Sequence, residues 1–131
     1  MSKIDVPEVL DVLRQVAAER PDHVDERSTV CGAVVPRYVV HGEPQCLVAV
    51  VLVRLGISPR AVAQLDRQRQ PGEASIRFAY SDHPVARKCT RPARALLDRV
   101  QALQDGGWSW GQTVQQVTYP GYRNHAWLEA L

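Results

Sequence analysis

The segment from Gln45 to Gln70 constrains this chain more than any other, because the most apolar run of the sequence leads there directly into a basic stretch. Between Cys46 and Leu55 the only polar residue is Arg54. A helix that is apolar on all sides is buried on all sides, and a short buried strand has a similar composition. The valines of the run favour a strand, because β-branched side chains fit a pleated surface. In either form, the run belongs in the core.

The residues that follow the run favour a helix. Gly56 suits the left-handed position just after a helix C-terminus. Ser58 can cap a second helix, with Pro59 at its first position, where a backbone N–H is not needed. We therefore predict a helix, a three-residue turn and a second helix over about 59–68, which Pro71 and Gly72 end.

A short turn with glycine between two helices is the outline of a DNA-binding helix-turn-helix, whose second helix enters the major groove. The string LGISPRAVAQL resembles the turn and recognition helix of helix-turn-helix repressors. Gly56 matches the turn glycine of these proteins. The positions that dock the second helix are matched by Ile57, Val62 and Leu65.

The resemblance implies a DNA-binding surface made of Arg60, Gln64 and Arg67 on the second helix. The chain departs from the motif at Leu52, where such proteins usually have a small residue that lets the helices cross closely. The first helix is also too apolar to cross a phosphate backbone with its outer face. The alternative interpretation is a pair of core helices joined by a capped turn.

The total charge of the chain does not by itself indicate a nucleic-acid partner, since it is only +2. The basic residues are nevertheless concentrated in two stretches. Residues 54–69 hold four arginines and one acidic residue, and residues 87–99 hold four arginines and one lysine against one acidic residue. If the fold brings the two stretches together, they form one positive surface; otherwise they are separate solvated faces.

The N-terminal part of the chain is predicted to contain a helix followed by a short β segment. Asp5 and Glu8 have the spacing of a capping box, and an apolar helical period continues to about Arg20. Residues 21–30 are polar and are predicted to be a connection. Residues 30–40 are rich in valine but contain a proline, which predicts a short strand or hairpin at a sheet edge.

The second half is predicted to contain one more strand and two more helices. Residues 75–80 alternate between apolar and polar and predict a strand that pairs with the first one, and residues 81–84 predict a turn. Thr90 caps the helix with the clearest apolar stripe, which the glycine pair at 106–107 ends. A capping box at 109–112 begins a further short helix.

These elements predict a mainly α (α+β) fold, in which residues 1–131 form one compact globular domain of four to six helices with a small two- or three-stranded β element. No N-terminal segment has the pattern of a signal peptide, and no apolar run reaches membrane-spanning length. Three cysteines cannot form a complete set of internal disulfides. We therefore expect a cytoplasmic protein with reduced thiols and no membrane contact.

Two longer strings, RYVVHGEPQCLVAVVLVRLG and ARALLDRVQALQDGGWSWGQTV, together resemble a set of small, uncharacterised proteins from actinobacteria and their phages. The resemblance covers the chain from Tyr38 to Val117. It implies an actinobacterial or actinophage source. It implies no activity or ligand, so no functional residue is transferred from that set to this chain.

The residues that usually carry catalysis or bind metals are scattered. A zinc site needs cysteines and histidines in close pairs, and the sequence has none, so we expect no metal and no cofactor. The nearest approach to a catalytic pair is Cys46 with His41, because a helix N-terminus lowers a thiol pKa. The simpler interpretation is that Cys46 fills core space. The chain has no other catalytic motif, and we predict that it is not an enzyme.

Aromatic residues crowd the last quarter of the chain. Because Trp and Tyr are enriched at interfaces, we predict a surface for a protein partner or a second copy of the chain, formed by Trp108, Trp110, Tyr122 and Trp127. The alternative is that these aromatics close the core of a small domain.

Three function hypotheses follow from the sequence. The first is a small non-enzymatic interaction or regulatory protein, phage-encoded and acting on a host protein. The second is a DNA-binding regulator with the helix-turn-helix-like pair at 45–70. The third is an enzyme that depends on Cys46.

Overall fold

The structure is a computed structural model that describes residues 3–24, 27–30, 33–36, 39–40, 42–44, 46–67 and 83–118. Over these residues the protein is mainly helical with a small β element, as the sequence predicts. Its helices are α1 (Val6–Glu19), α2 (Leu47–Arg54), α3 (Pro59–Arg67), α4 (Pro84–Arg87), α5 (Arg91–Asp105) and α6 (Trp110–Thr118). Its strands are β1 (Arg27–Val30), β2 (Ala33–Pro36), β3 (Val39–Val40) and β4 (Glu43–Pro44). None of the described helices is long and apolar enough to cross a membrane.

The apolar run at 46–55 forms helix α2, which is the centre of the fold. Helices α1, α3 and α5 and strand β4 pack around it. Five of its eight residues are completely enclosed: Leu47, Val48, Ala49, Val51 and Leu52. Burial of one such side chain stabilises a protein by about 1.5–3 kcal/mol for Val or Leu, so α2 contributes more to the core than its length suggests.

The N-terminus of α2 is capped from two sides. The Sγ atom of Cys46 accepts a hydrogen bond from the N–H of Ala49 at 3.4 Å. The side-chain oxygen of Gln104, on α5, accepts one from the N–H of Val48 at 3.1 Å. Since the first N–H groups of a helix have no partner within the helix, these two side chains allow α2 to begin inside the core.

The turn between α2 and α3 has the geometry that the sequence predicts, with four residues instead of three. Ile57 N–H donates to the carbonyl of Leu52 at 3.1 Å, and Gly56 N–H donates to that of Val53 at 3.0 Å. This is a Schellman motif, and Gly56 adopts the positive φ of 102° that it requires. Ser58 then caps α3, because its hydroxyl accepts from the N–H of Ala61 at 3.1 Å.

The β element differs from the prediction in its pairing. Strand β1 pairs with β2, and β3 pairs with β4, both antiparallel. Residues 27–30 were predicted to belong to a connection, and this prediction was wrong, because the valine-rich residues 33–36 give that polar segment a strand to pair with. The strand predicted at 75–80 lies outside the described residues.

The other helices begin at the predicted caps, and one helix was not predicted. Asp5 and Glu8 form the expected capping box of α1, and Thr90 caps α5. The capping box at 109–112 precedes α6, since Ser109 Oγ accepts from Gln112 N–H at 3.2 Å and Gln112 accepts in return. Of the turn predicted at 81–84, residues 81 and 82 lie outside the described residues, His83 is the N-cap of α4, and Pro84 begins that single-turn helix.

Hydrogen bonds join the starts of α1 and α5. Ile4 N–H donates to the Lys88 carbonyl at 2.8 Å, and Thr90 N–H donates to the Ile4 carbonyl at 2.8 Å. The Thr90 hydroxyl also donates to Asp5 Oδ1 at 2.8 Å. Asp5 accepts a further bond from the N–H of Val6, and these bonds hold the pKa of its carboxyl below the usual value.

Candidate functional site

Helix α3 presents a polar face to solvent. Arg60 and Gln64 are one helical turn apart and both are exposed, whereas Val62 on the opposite face is fully buried. Arg67 is the last residue of α3, and its side chain lies outside the described part of the structure. The structure therefore places two of the three predicted DNA-binding residues on one accessible face.

Helix α2 offers no comparable face. Its one charged residue, Arg54, is paired with Glu19 at the end of α1, where Nη2 donates to Oε1 at 2.9 Å and Nη1 donates to Oε2. The hydrogen bond from Arg54 holds the pKa of the Glu19 carboxyl below its ordinary value. Leu52, the residue at which the sequence departs from helix-turn-helix repressors, is completely enclosed. Among the described side chains of this helix pair, the exposed ones other than Arg54 lie on α3 and the turn.

The two tryptophans of the α5–α6 junction lie in different environments. Trp110 is only 2% exposed. The ring of His23 meets it edge-on at a centroid distance of 4.7 Å, and the guanidinium of Arg20 lies 5.4 Å from its centroid. The prediction that Trp110 offers a surface to a partner does not fit this position, because the indole is enclosed by the end of α1.

Trp108 remains available to a partner. It is 40% exposed. Val24, which is 46% exposed, lies close to it, because Val24 forms an isolated β-bridge with Ser109. They are the two large apolar residues found exposed in the described part of the chain. Tyr122 and Trp127, the other predicted partner residues, lie outside that part.

The two cysteines that the structure describes are both buried. Cys46 is 4% exposed, and its sulfur faces the N–H of Ala49. Burial raises the pKa of the Cys89 thiol to about 11, so this group is protonated at neutral pH. His41, the histidine considered as a partner of Cys46, lies outside the described residues. Across those residues, no group of three or more His, Cys, Asp or Glu side chains is arranged to hold a metal ion.

His83 caps α4 in a way that requires a neutral ring. Its Nδ1 accepts a hydrogen bond from the N–H of Val85 at 3.1 Å, and the side chain is 4% exposed. Burial lowers the pKa of His83 below its ordinary value near 6.5, because a charged imidazolium is less stable away from water. Protonation would also place a second N–H against that of Val85.

We expect the stability of the protein to fall as the pH drops below about 6.5. In that window the unfolded chain binds a proton at His83 and the folded chain does not, so acidification favours unfolding. One such group changes the free energy of unfolding by at most about 1.4 kcal/mol per pH unit. Urea denaturation between pH 5 and pH 8 measures this slope.

The matched control is His83→Asn, because the asparagine oxygen can still cap α4 but does not titrate. This variant is expected to lose the part of the pH dependence that His83 causes. An equally steep loss of stability in the variant and the wild type would rule out the proposed cause.

Comparison with known proteins finds no relative of this chain. No protein-family model matches the chain, and no curated protein or solved structure matches it. The functional interpretation therefore depends on the geometry of the chain itself.

Proposed function

We propose that this chain is a small non-enzymatic regulatory protein that binds duplex DNA through helix α3. The observation that carries the proposal is the exposure of Arg60 and Gln64 on the second helix of a pair joined by a glycine-containing turn. In helix-turn-helix proteins, the N-terminal residues of the second helix contact base edges in the major groove. Arg60 and Gln64 are the second and sixth residues of α3.

The chemistry of these two side chains fits base recognition. An arginine forms two hydrogen bonds with the major-groove edge of guanine, and a glutamine does the same with adenine. Their spacing of four residues places them about 6 Å apart along the helix axis, which is close to two base-pair steps of about 3.4 Å. α3 can therefore present both, from one face, to base pairs two steps apart.

The test begins with selection from a pool of randomised duplexes of roughly 20 base pairs, two turns of DNA. The enriched duplex and an unrelated one are then titrated with the wild type, Arg60→Ala, Gln64→Ala and the control Arg14→Ala. Arg14 is an exposed arginine on α1, paired with Asp11 at 3.7 Å. It matches the charge that Arg60→Ala removes but lies on another helix.

We expect Arg60→Ala and Gln64→Ala each to weaken binding to the enriched duplex by about 5- to 150-fold, the value of a good base contact. Arg14→Ala should change it less than about twofold, since an exposed residue on α1 makes no base contact in this proposal. An RNA duplex of the same sequence should bind more weakly, because its major groove is too narrow for side chains to read. Absence of wild-type binding at low salt, or equal losses in the Arg60 and Arg14 variants, would overturn the proposal.

A second candidate function is binding of a protein partner at the end of the molecule that carries Trp108 and Val24. It is favoured by the position of these two exposed apolar side chains around one β-bridge. A tryptophan at a protein surface is a common binding hot spot. A partner bound there would lose affinity with Trp108→Ala and keep it with Arg60→Ala, the reverse of the result expected for DNA.

A further inference from the structure

The packing of the helices brings the start of the second basic stretch close to the first. Helix α4 packs against α3, and Arg87 is the last residue of α4. Because α4 is a single turn, about 6 Å long, none of its residues lies more than one turn from the contact with α3. Lys88 follows directly, and Arg91 begins α5.

The cations of this junction are exposed. Arg87, Lys88 and Arg91 all face solvent. Across the described residues, none of the three forms an ion pair. The N–H groups of their side chains can therefore donate hydrogen bonds to the oxygens of a phosphate group.

Two acidic residues at the start of α1 lie near this junction in the described part of the chain. The bridge between Ile4 and Cys89 brings the first turn of α1 beside it. There, Asp5 accepts bonds from Val6 and Thr90, and Glu8 accepts one from Asp5 N–H. Asp5 and Glu8 remain exposed and charged, so the junction carries three cations beside two carboxylates, and the cations are in excess by one.

We infer that Arg87, Lys88 and Arg91 form a phosphate-binding surface that contacts the DNA backbone beside the groove in which α3 lies. This inference rests on the proposed function and extends it to a second set of residues. The major groove is about 12 Å wide, so a helix within it has phosphates of both strands at its sides. Phosphate contacts set the position and much of the affinity of a protein on DNA, without reading the sequence.

The dependence of affinity on salt separates this role from base recognition. The logarithm of the affinity falls with the logarithm of salt concentration by about 0.9 for each phosphate neutralised. The unrelated duplex is titrated by fluorescence anisotropy between about 50 and 200 mM salt. The proteins compared are the wild type, Arg87→Gln, Lys88→Gln, Arg91→Gln, the triple variant that combines these three substitutions, and the control Arg14→Gln.

We expect each of the three junction variants to reduce the salt slope by about 0.9, and the triple variant to reduce it by about 2.7. Preference for the enriched duplex over the unrelated one should stay within about twofold of the wild type, since these side chains read no bases. Arg14→Gln should leave the slope unchanged. Thermal unfolding of each variant identifies any that is misfolded, and the remaining single variants still decide the result.

Different experimental results would overturn the phosphate-binding surface and the proposed function of α3. If the wild type binds no duplex, the role of α3 fails and this surface fails with it. If the wild type binds and Arg60→Ala weakens binding, but all three junction variants keep the wild-type slope, then only the phosphate-binding surface is overturned. A lower slope together with lost sequence preference would equally overturn it, because the cations would then act on the base-reading helix.

Discussion

Replacement of Trp110 by alanine is expected to lower the free energy of unfolding by about 3–5 kcal/mol, the usual cost of removing a buried tryptophan. The indole, on the first residue of α6, is 2% exposed and lies against Arg20 and His23, just after α1. Its loss leaves a cavity and also removes the contacts with His23 and Arg20. Single domains are stable by only about 5–15 kcal/mol, so this variant should lie close to the limit of folding. Urea denaturation followed by far-ultraviolet circular dichroism measures the change.

Trp108→Ala is the matched control for this prediction. It removes the same side chain two positions away, but from a site that is 40% exposed and outside the core. We expect a change in the free energy of unfolding of about 0.5 kcal/mol or less, as for most surface substitutions. Comparable losses in the two variants would mean that Trp108 also supports the core, and would argue against its use as a free docking residue.

Replacement of Gln104 by methionine is expected to lower the free energy of unfolding by about 1–3 kcal/mol. The two side chains have similar length, so core packing changes little. The substitution removes the oxygen that accepts the hydrogen bond from Val48 N–H at 3.1 Å. Gln104 is 3% exposed and Val48 is fully buried. The N–H group is thus left in the interior with no acceptor, and its desolvation is no longer offset.

Gln101→Met is a control for which we do not expect a loss in the free energy of unfolding. Gln101 is also 3% exposed and lies one turn before Gln104 on α5. Neither atom of its side-chain amide has a hydrogen-bond partner among the described residues. Removing an unpartnered buried polar group relieves a cost of about 1–3 kcal/mol, so stability should stay equal or rise. If both glutamine variants lose stability equally, the hydrogen bond to Val48 is not the cause of the loss at Gln104.

The parts of the fold that depend on neighbouring residues were predictable from the sequence. The caps at Asp5, Thr90 and Ser109 satisfy N–H groups within the next three residues, and all three begin helices as predicted. The turn at Gly56 is equally local. These predictions were correct because a cap and its helix are read from one short window of sequence.

The parts that depend on distant residues were not predictable in the same way. Whether 46–53 is helix or strand depends on what surrounds it, and part of the answer is the hydrogen bond that Val48 N–H donates to Gln104, 56 residues further along the chain. Strand β1 formed in a polar segment because β2 lies beside it. Helix α4 was missed because histidine is not among the usual capping residues, although His83 serves as one.

In the candidate site, too, some features depend on neighbouring residues and others on distant ones. The helical period places Arg60 and Gln64 on one face of α3, and their exposure was predictable once Val62 was taken as buried. Trp108 and Trp110 could not be separated by pattern, because only the packing of α1 determines which of them is enclosed. Val24 was missed as a surface residue, since one valine in a polar segment has no distinctive signal.

The hydrogen bonds between the starts of α1 and α5 limit how this protein can be divided into fragments that fold. Thr90 and Asp5, which share a hydrogen bond, are 85 positions apart in the chain. The elements that enclose α2 come from both sides of it in the sequence, since α1 precedes it and α5 follows it. The helix pair at 45–70 is therefore not a detachable module, because its first helix would expose its whole apolar surface once excised. A fragment that keeps α3 folded has to retain the chain from α1 through α5.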